Sequence, residues 1–178
     1  MNQPSITLIT FGHFEKDFLE RVVEEVQCEY QYPIRIREGH LDLSEFHDAA
    51  RRQYNGNSLL KEIDSRFSAE SLKTLGLVSV DLFIPILTYI FGQAYLNGRT
   101  GIASLYRFSN EHYGMKKDEA LLLDRFTKEV NHELGHTFGL IHCHIPTCVM
   151  RSSTYVEDID QKSARLCASC RGKVRHLP

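Results

Sequence analysis

Cysteine is scarce through most of this sequence. Only Cys28 precedes position 143, and the other four, Cys143, Cys148, Cys167 and Cys170, crowd into the final stretch. Disulfide frameworks spread their cysteines across a small secreted domain, so this distribution argues against one and for a metal site. An excess of one charge is also missing: a formal net charge of -2 provides no electrostatic footprint for nucleic acid. The opening MNQPSITLITFG has no basic segment leading into a long apolar core and a small-residue cleavage site. Neither a secretory signal nor an inhibitory propeptide ahead of the first strand is therefore expected. The longest apolar stretch, Leu77 to Leu96, has the length of a membrane span but contains Asp81, Pro85, Gly92 and Gln93. Its β-branched and aromatic content reads as buried strands instead. No repeat, low-complexity tract or long linker is visible. The expectation is a soluble, cytoplasmic, monomeric protein with no nucleic-acid or membrane partner.

What is present alternates between strand and helix. SITLITFG reads as a strand, and Phe14, Phe18, Leu19, Val22, Val23 and Val26 place an amphipathic helix over residues 15 to 28. YPIRIRE alternates as a second strand. Asp42 and Glu45 resemble a capping box that opens a helix through SEFHDAARRQY, and SLLKEIDSRF is a further helix after NGN. GLVSVDLFI reads as a central strand, and YIFGQAYLNGRTGIASLYRF as a hairpin turning at Asn97-Gly98. Such alternation implies an α/β sheet. The longest helix is expected from Asp118 to Phe138, where Leu122, Phe126, Val130, Leu134 and Phe138 form a core-facing stripe.

That helix ends in His132-Glu133-Leu134-Gly135-His136. At about 100° per residue the two histidines lie about 40° apart on one face, nearly opposite Leu134. One turn of separation lets both imidazoles reach one tetrahedral zinc, with Glu133 beside them as general base. The pattern continues to Gly139 and His142. A glycine three residues past the second histidine can adopt positive φ and end the helix, so the chain reverses and offers His142 as third ligand. His144 is a competitor that spacing disfavours. Three neutral ligands plus an open position suit a hydrolytic zinc.

Cys143, Cys148, Cys167 and Cys170 can close a second, structural tetrahedron, with Cys167 and Cys170 as a CxxC knuckle. Two zinc ions per chain are expected, one catalytic and one structural. No acid follows Asp160, and Lys162, Arg165, Arg171, Lys173 and Arg175 surround the cysteines, which reads as compensation of the thiolate charge.

With these motifs in place, the sequence resembles the metzincins, and among them the archaemetzincins, from His132 through Cys170, and the upstream order of strands and helices extends the resemblance over nearly the whole chain. The resemblance implies a metzincin-like α/β fold: a twisted mixed sheet with packed helices, the HExxH helix, and a small C-terminal subdomain. One catalytic domain would span residues 1–178, divided into an upper part (1–139) and a lower part (140–178). It makes Met150 the Met-turn beneath the metal and suggests that GIASLYRF is the edge strand that pairs with extended peptide. Several metzincin families place a tyrosine two residues after that methionine. Here the position is Ser152, with Tyr155 nearby.

The resemblance implies a zinc metallopeptidase acting on peptides or unstructured proteins. Two other functions stay open: a non-catalytic zinc-stabilised peptide-binding or adaptor protein, and a zinc ribbon that acts through its basic tail. Retention of Glu133 favours chemistry.

Overall fold

A computed structural model describes residues 4–175. Strand β1 (Ile6–Phe11) is buried on both faces, as its run of β-branched residues predicts. Helix α1 (Lys16–Tyr30) ends where Gln31 takes a left-handed conformation and bonds back to the Gln27 carbonyl. It is followed by β2 (Ile34–Glu38), β3 (His47–Asp48), β4 (Gln53–Asn55) and α2 (Gly56–Phe67). Then come β5 (Lys73–Val78), β6 (Leu82–Phe83), β7 (Gly92–Ala94) and β8 (Thr100–Ser104). Helices α3 (Glu119–Thr137), α4 (Val156–Gln161) and α5 (Ala168–Arg175) follow.

The main sheet has the order β2-β1-β5-β8-β7; only β7 runs antiparallel to its neighbour. Strand periodicity divides its side chains between two layers. Ile6, Leu8, Leu75, Leu77 and Ala103 pack with α1 and α3, while Ile9, Phe11, Val78 and Ile102 pack with Leu59, Leu60 and Ile63 of α2. The segment after α3 has no separate core: Val149, Met150, Val156, Ile159, Leu166 and Val174 join the cluster under α1 and α3.

Three expectations need correction. The helix expected through SEFHDAARRQY is a short 3₁₀ turn, Leu43–Phe46, followed by the antiparallel pair β3 and β4. Asp42 caps Ser44, and the Asp48 carboxylate accepts the amides of Ala50 and Arg51, so local side-chain bonds win over the helix propensity of Ala-Ala-Arg-Arg. GLVSVDLFI is not one strand: β5 stops at Val78, and β6 joins the small sheet β3-β4-β6. Finally, GIASLYRF is not the edge. Its strand, β8, lies between β5 and β7, and the chain then leaves the sheet in a 3₁₀ turn, Tyr106–Phe108. On that side of the sheet the edge strand is β7, and β2 is the other edge. The apolar stretch Leu77 to Leu96 resolves into these strands and turns, and among the described residues no helix is long and apolar enough to cross a membrane.

Candidate active site and metal centres

Helix α3 is anchored at its start by the Asp118 carboxylate, which accepts the Leu121 amide at 2.9 Å. At its end Gly139 has φ of 84°, its amide bonds to the His136 carbonyl, and the Leu140 amide bonds to the Gly135 carbonyl at 3.0 Å. This left-handed glycine cap turns the chain back beneath the helix as the spacing predicts. The turn brings one nitrogen each from His132, His136 and His142 within 4.8 Å of one another. His144 is exposed and outside that trio.

The imidazole hydrogen bonds fix what the trio can bind. His132 Nδ1 lies 2.8 Å from the Val149 carbonyl and His136 Nδ1 2.7 Å from the Leu140 carbonyl. A carbonyl only accepts, so each Nδ1 carries the proton and each Nε2 offers a lone pair. Those two Nε2 atoms lie 3.1 Å apart. Facing lone pairs at that distance repel unless a cation sits between them, and tetrahedral zinc at 2.0–2.1 Å calls for about 3.4 Å between ligand nitrogens. Burial depresses the pKa of all three histidines; Lys162 adds to the effect, and His132 is shifted furthest. The imidazoles are therefore neutral at pH 7, the state that ligates metal. The residues fit a zinc ion.

Glu133 is buried, and its Oε2 has no hydrogen-bond partner among the described residues. Burial and its neighbour Glu129 push its pKa well above the usual carboxylate range. Both acids, the three histidines and Lys162 line a cavity of about 790 Å³. Edge strand β7 contributes Gly92, Gln93 and Ala94 to one wall, and Ser152 to Tyr155 form part of the opposite rim. The Tyr89 hydroxyl joins the two sides by donating to the Thr154 carbonyl at 2.7 Å. Arg107, stacked 3.9 Å from the Tyr89 ring and paired bidentately with Asp81, braces that wall from behind. Tyr155 is 64% exposed at the rim.

The second cluster forms as expected. The sulfurs of Cys143, Cys148, Cys167 and Cys170 lie within 4.8 Å of one another, with Cys143 and Cys167 3.9 Å apart. Zinc–sulfur bonds of about 2.3 Å imply sulfurs about 3.8 Å apart, and all four cysteines are free of disulfides. Backbone amides of Ile145 and Cys167 point at the sulfurs of Cys143 and Cys148. The Cys170 amide lowers the Cys167 thiol to about 7, whereas burial raises those of Cys148 and Cys170. A donor set of four sulfurs with amide support fits a closed structural zinc. Met150 is fully buried directly beneath Gly135.

The basic residues near the cysteines have other partners. Arg165 pairs with Glu25, and Arg171 with the buried Glu29, both on α1. Lys162 is 3% exposed and belongs to the histidine site: its Nζ lies 3.5 Å from His132 Nδ1 and donates to the Arg151 carbonyl at 3.0 Å. Lys173 is exposed, and the Arg175 side chain lies outside the described residues. Sequence reasoning misplaced Lys162 and overlooked Glu129. The lysine gave no local signal, because it sits 30 residues from the histidine it touches. Glu129 did have one, being one helical turn before Glu133.

Comparison with known proteins decides the family. The model of Peptidase family M54 matches residues 32–176. The chain belongs to peptidase family M54. The archaemetzincin of Pyrococcus horikoshii is 39% identical over 163 residues, spanning 88% of this chain and 85% of that one. The crystal structure of archaemetzincin from Methanopyrus kandleri superposes with a TM-score of 0.85 at 30% identity, covering 97% of this chain and 94% of that one. A zinc-dependent peptidase from Methanocorpusculum labreanum gives 0.80 at 26% identity, covering 96% of this chain and all of that one. This M54 protein is accordingly an archaemetzincin and a zinc metallopeptidase with the expected metzincin-like fold.

Proposed function

We propose that this M54 peptidase hydrolyses peptide bonds in peptides or unstructured proteins with His132, His136 and His142 as the catalytic zinc ligands and Glu133 as the general base. Cys143, Cys148, Cys167 and Cys170 hold a second, structural zinc, giving two ions per chain. Residues 140–178 act as the lower part of the single domain, supplying His142, Met150 and the thiolates beneath the upper part, 1–139.

The observation that carries this reading is the pair of Nε2 lone pairs converging at 3.1 Å in a cavity also lined by Glu133, whose buried Oε2 has no partner among the described residues. Zinc held by His132, His136 and His142 would supply Lewis acidity toward a carbonyl and a water. The Val149 and Leu140 carbonyls hold both rings in the ligating tautomer. Glu133 takes a proton from the attacking water on Oε2 and delivers it to the leaving amine. Burial and Glu129 raise its pKa, which favours holding the proton until the leaving amine takes it. Edge strand β7, unpaired on its outer side along the cavity, is where extended peptide backbone pairs.

Elemental analysis of wild type and Glu133→Ala, alongside hydrolysis of a mixture of unstructured peptides, tests the assignment. Two zinc ions in both proteins with cleavage only in wild type is the expected result. Two ions with equal cleavage in both would remove Glu133 as the base, and one ion would remove one of the two sites.

A further inference from the structure

One end of the cavity carries two aliphatic side chains that the fold itself does not call for. Leu96 is 57% exposed and Ile141 64% exposed, and both line the cavity that holds the three histidines and Glu133. Leu96 follows Tyr95 in a turn closed by the bond from the Gly98 amide to the Tyr95 carbonyl at 2.9 Å. Such positions are ordinarily filled by proline or short polar residues, and Asn97, with φ of 54°, already supplies the left-handed step. Ile141 follows the Gly139 cap, but the apolar contact that accompanies such a cap comes from Leu140, which is buried in the core. Single exposed aliphatic residues are ordinary; two at the mouth of one cavity mark a binding surface.

The two flank a single contact. The Asn97 amide bonds to the His136 carbonyl at 2.9 Å, and a β-carbon on Gly139 would lie 3.4 Å from Asn97 Oδ1. The turn that carries Leu96 is thereby docked on the loop that carries Ile141. The charged side chains of the cavity lie elsewhere. Glu129 and Glu133 face Gly92, where an added β-carbon would come 2.9 Å from Glu129 Oε1 and 2.8 Å from Glu133 Cγ, and Lys162 lies against His132. Strand β7 sets the spacing between the two ends. Phe91 and Tyr95 are bonded to Ser104 and Thr100, so the alternation of an antiparallel pair turns the backbone groups of Gly92 and Ala94 outward. An extended peptide paired there passes Glu133 beside Gly92 and, at about 3.3 Å per residue, reaches Leu96 about three residues further on.

We propose that Leu96 and Ile141 form a specificity subsite for an aliphatic side chain of the substrate, about three residues from the bond that is cut. The inference rests on the reading of this cavity as a peptidase active site and adds which substrates it selects. An aliphatic group here exchanges water for Leu96 and Ile141. An aspartate would lose hydration with no cation beside it in return.

Fluorescence anisotropy on the zinc-loaded full chain carrying Glu133→Ala reads binding without cleavage. The probes are labelled, unstructured alanine-serine peptides with one central leucine, or with serine or aspartate in its place. The leucine peptide should bind roughly tenfold tighter than the serine peptide, the low end for aliphatic groups in enzyme pockets, and the aspartate peptide no tighter than the serine one. Adding Leu96→Ser and Ile141→Ser together should bring the leucine-to-serine ratio below about twofold at unchanged zinc content. Ile86→Ser, which removes an 85% exposed isoleucine that does not line the cavity, should leave the ratio as it was. Mass spectrometry of leucine peptides digested by wild type should place the leucine about three residues from the cut. Equal binding of the leucine and serine peptides, binding of neither, or a leucine preference that survives the double substitution overturns the subsite and leaves the base assignment untouched. Cleavage by Glu133→Ala at the wild-type rate overturns that assignment and leaves the subsite standing.

Discussion

Met150 packs directly against Gly135, its sulfur filling the volume that a β-carbon on that residue would need. The glycine inside the HExxH helix is thus required by the methionine below, whose neighbour Val149 supplies the carbonyl that orients His132. Helix, methionine and histidine form one unit.

Gly135→Ala should therefore be harmful despite the better helix propensity of alanine. Overpacking a rigid core typically costs about 1–3 kcal/mol. Here Met150, fully buried, has little room to move away. Denaturant unfolding should show a loss in that range, and zinc titration should show weakened binding at the histidine site. An alanine variant with wild-type stability and zinc affinity would mean that the methionine adapts freely.

The two metal sites should be coupled. His142 and Cys143 are neighbours, the Cys143 amide bonds to the Met150 carbonyl at 2.9 Å, and the Val149 amide bonds to the Arg165 carbonyl beside Leu166 and Cys167. Loss of the thiolate site loosens this loop and, with it, both His142 and the His132 tether. Cys170→Ser should bind fewer than two zinc ions and lose at least roughly tenfold in peptide hydrolysis, as outer-shell disruptions of metal sites do. Retention of full activity with only the histidine site loaded would show the sites to be independent.

Arg125 is 4% exposed and holds α4 to α3 through bidentate 2.7 Å bonds to Asp160, with further bonds to the Phe108 carbonyl and Asn110. Asp160→Ala leaves the guanidinium buried without its counter-charge. Removing one partner of a fully buried pair costs about 3–5 kcal/mol, and Asp160 is one-third exposed, so a loss of about 2–3 kcal/mol is expected. Equilibrium unfolding measures it directly, and a change below about 0.5 kcal/mol, typical of surface substitutions, would show that Phe108 and Asn110 suffice.

The contrast between what could and could not be read from the sequence follows the range of the interactions. Helix α3 was legible because its stripe, its Asp118 cap, its paired histidines and its Gly139 stop are all local. The four cysteines were legible because thiolate clustering has few other causes. By contrast, the place of β8 inside the sheet is a matter of strand order, which no local pattern encodes. Residues 44–54 were misread because one side chain, Asp48, captured the backbone amides that a helix would have used. Lys162 was assigned to the nearer cysteines, whereas the fold carries it to His132.

Glu129 and Glu133 also set how the metal-free protein responds to pH. Both have pKa values raised by burial, so the folded state holds protons that the unfolded chain, near its ordinary carboxylate value of about 4.5, has already released. The folded state then binds more protons than the unfolded one, and stability falls as pH rises through that window. His132, with its depressed pKa, works in the opposite sense, but only below its unfolded value of about 6.5. His136, His142 and Lys162 are depressed as well and act in the same sense as His132, so the carboxyl contribution is read as a difference between two proteins that share those groups. Above pH 4.5, urea midpoints of the zinc-free wild type should fall with pH relative to those of zinc-free Glu133→Gln. Parallel lines for the two proteins would mean that the buried pair gives up its proton as readily as the unfolded chain does.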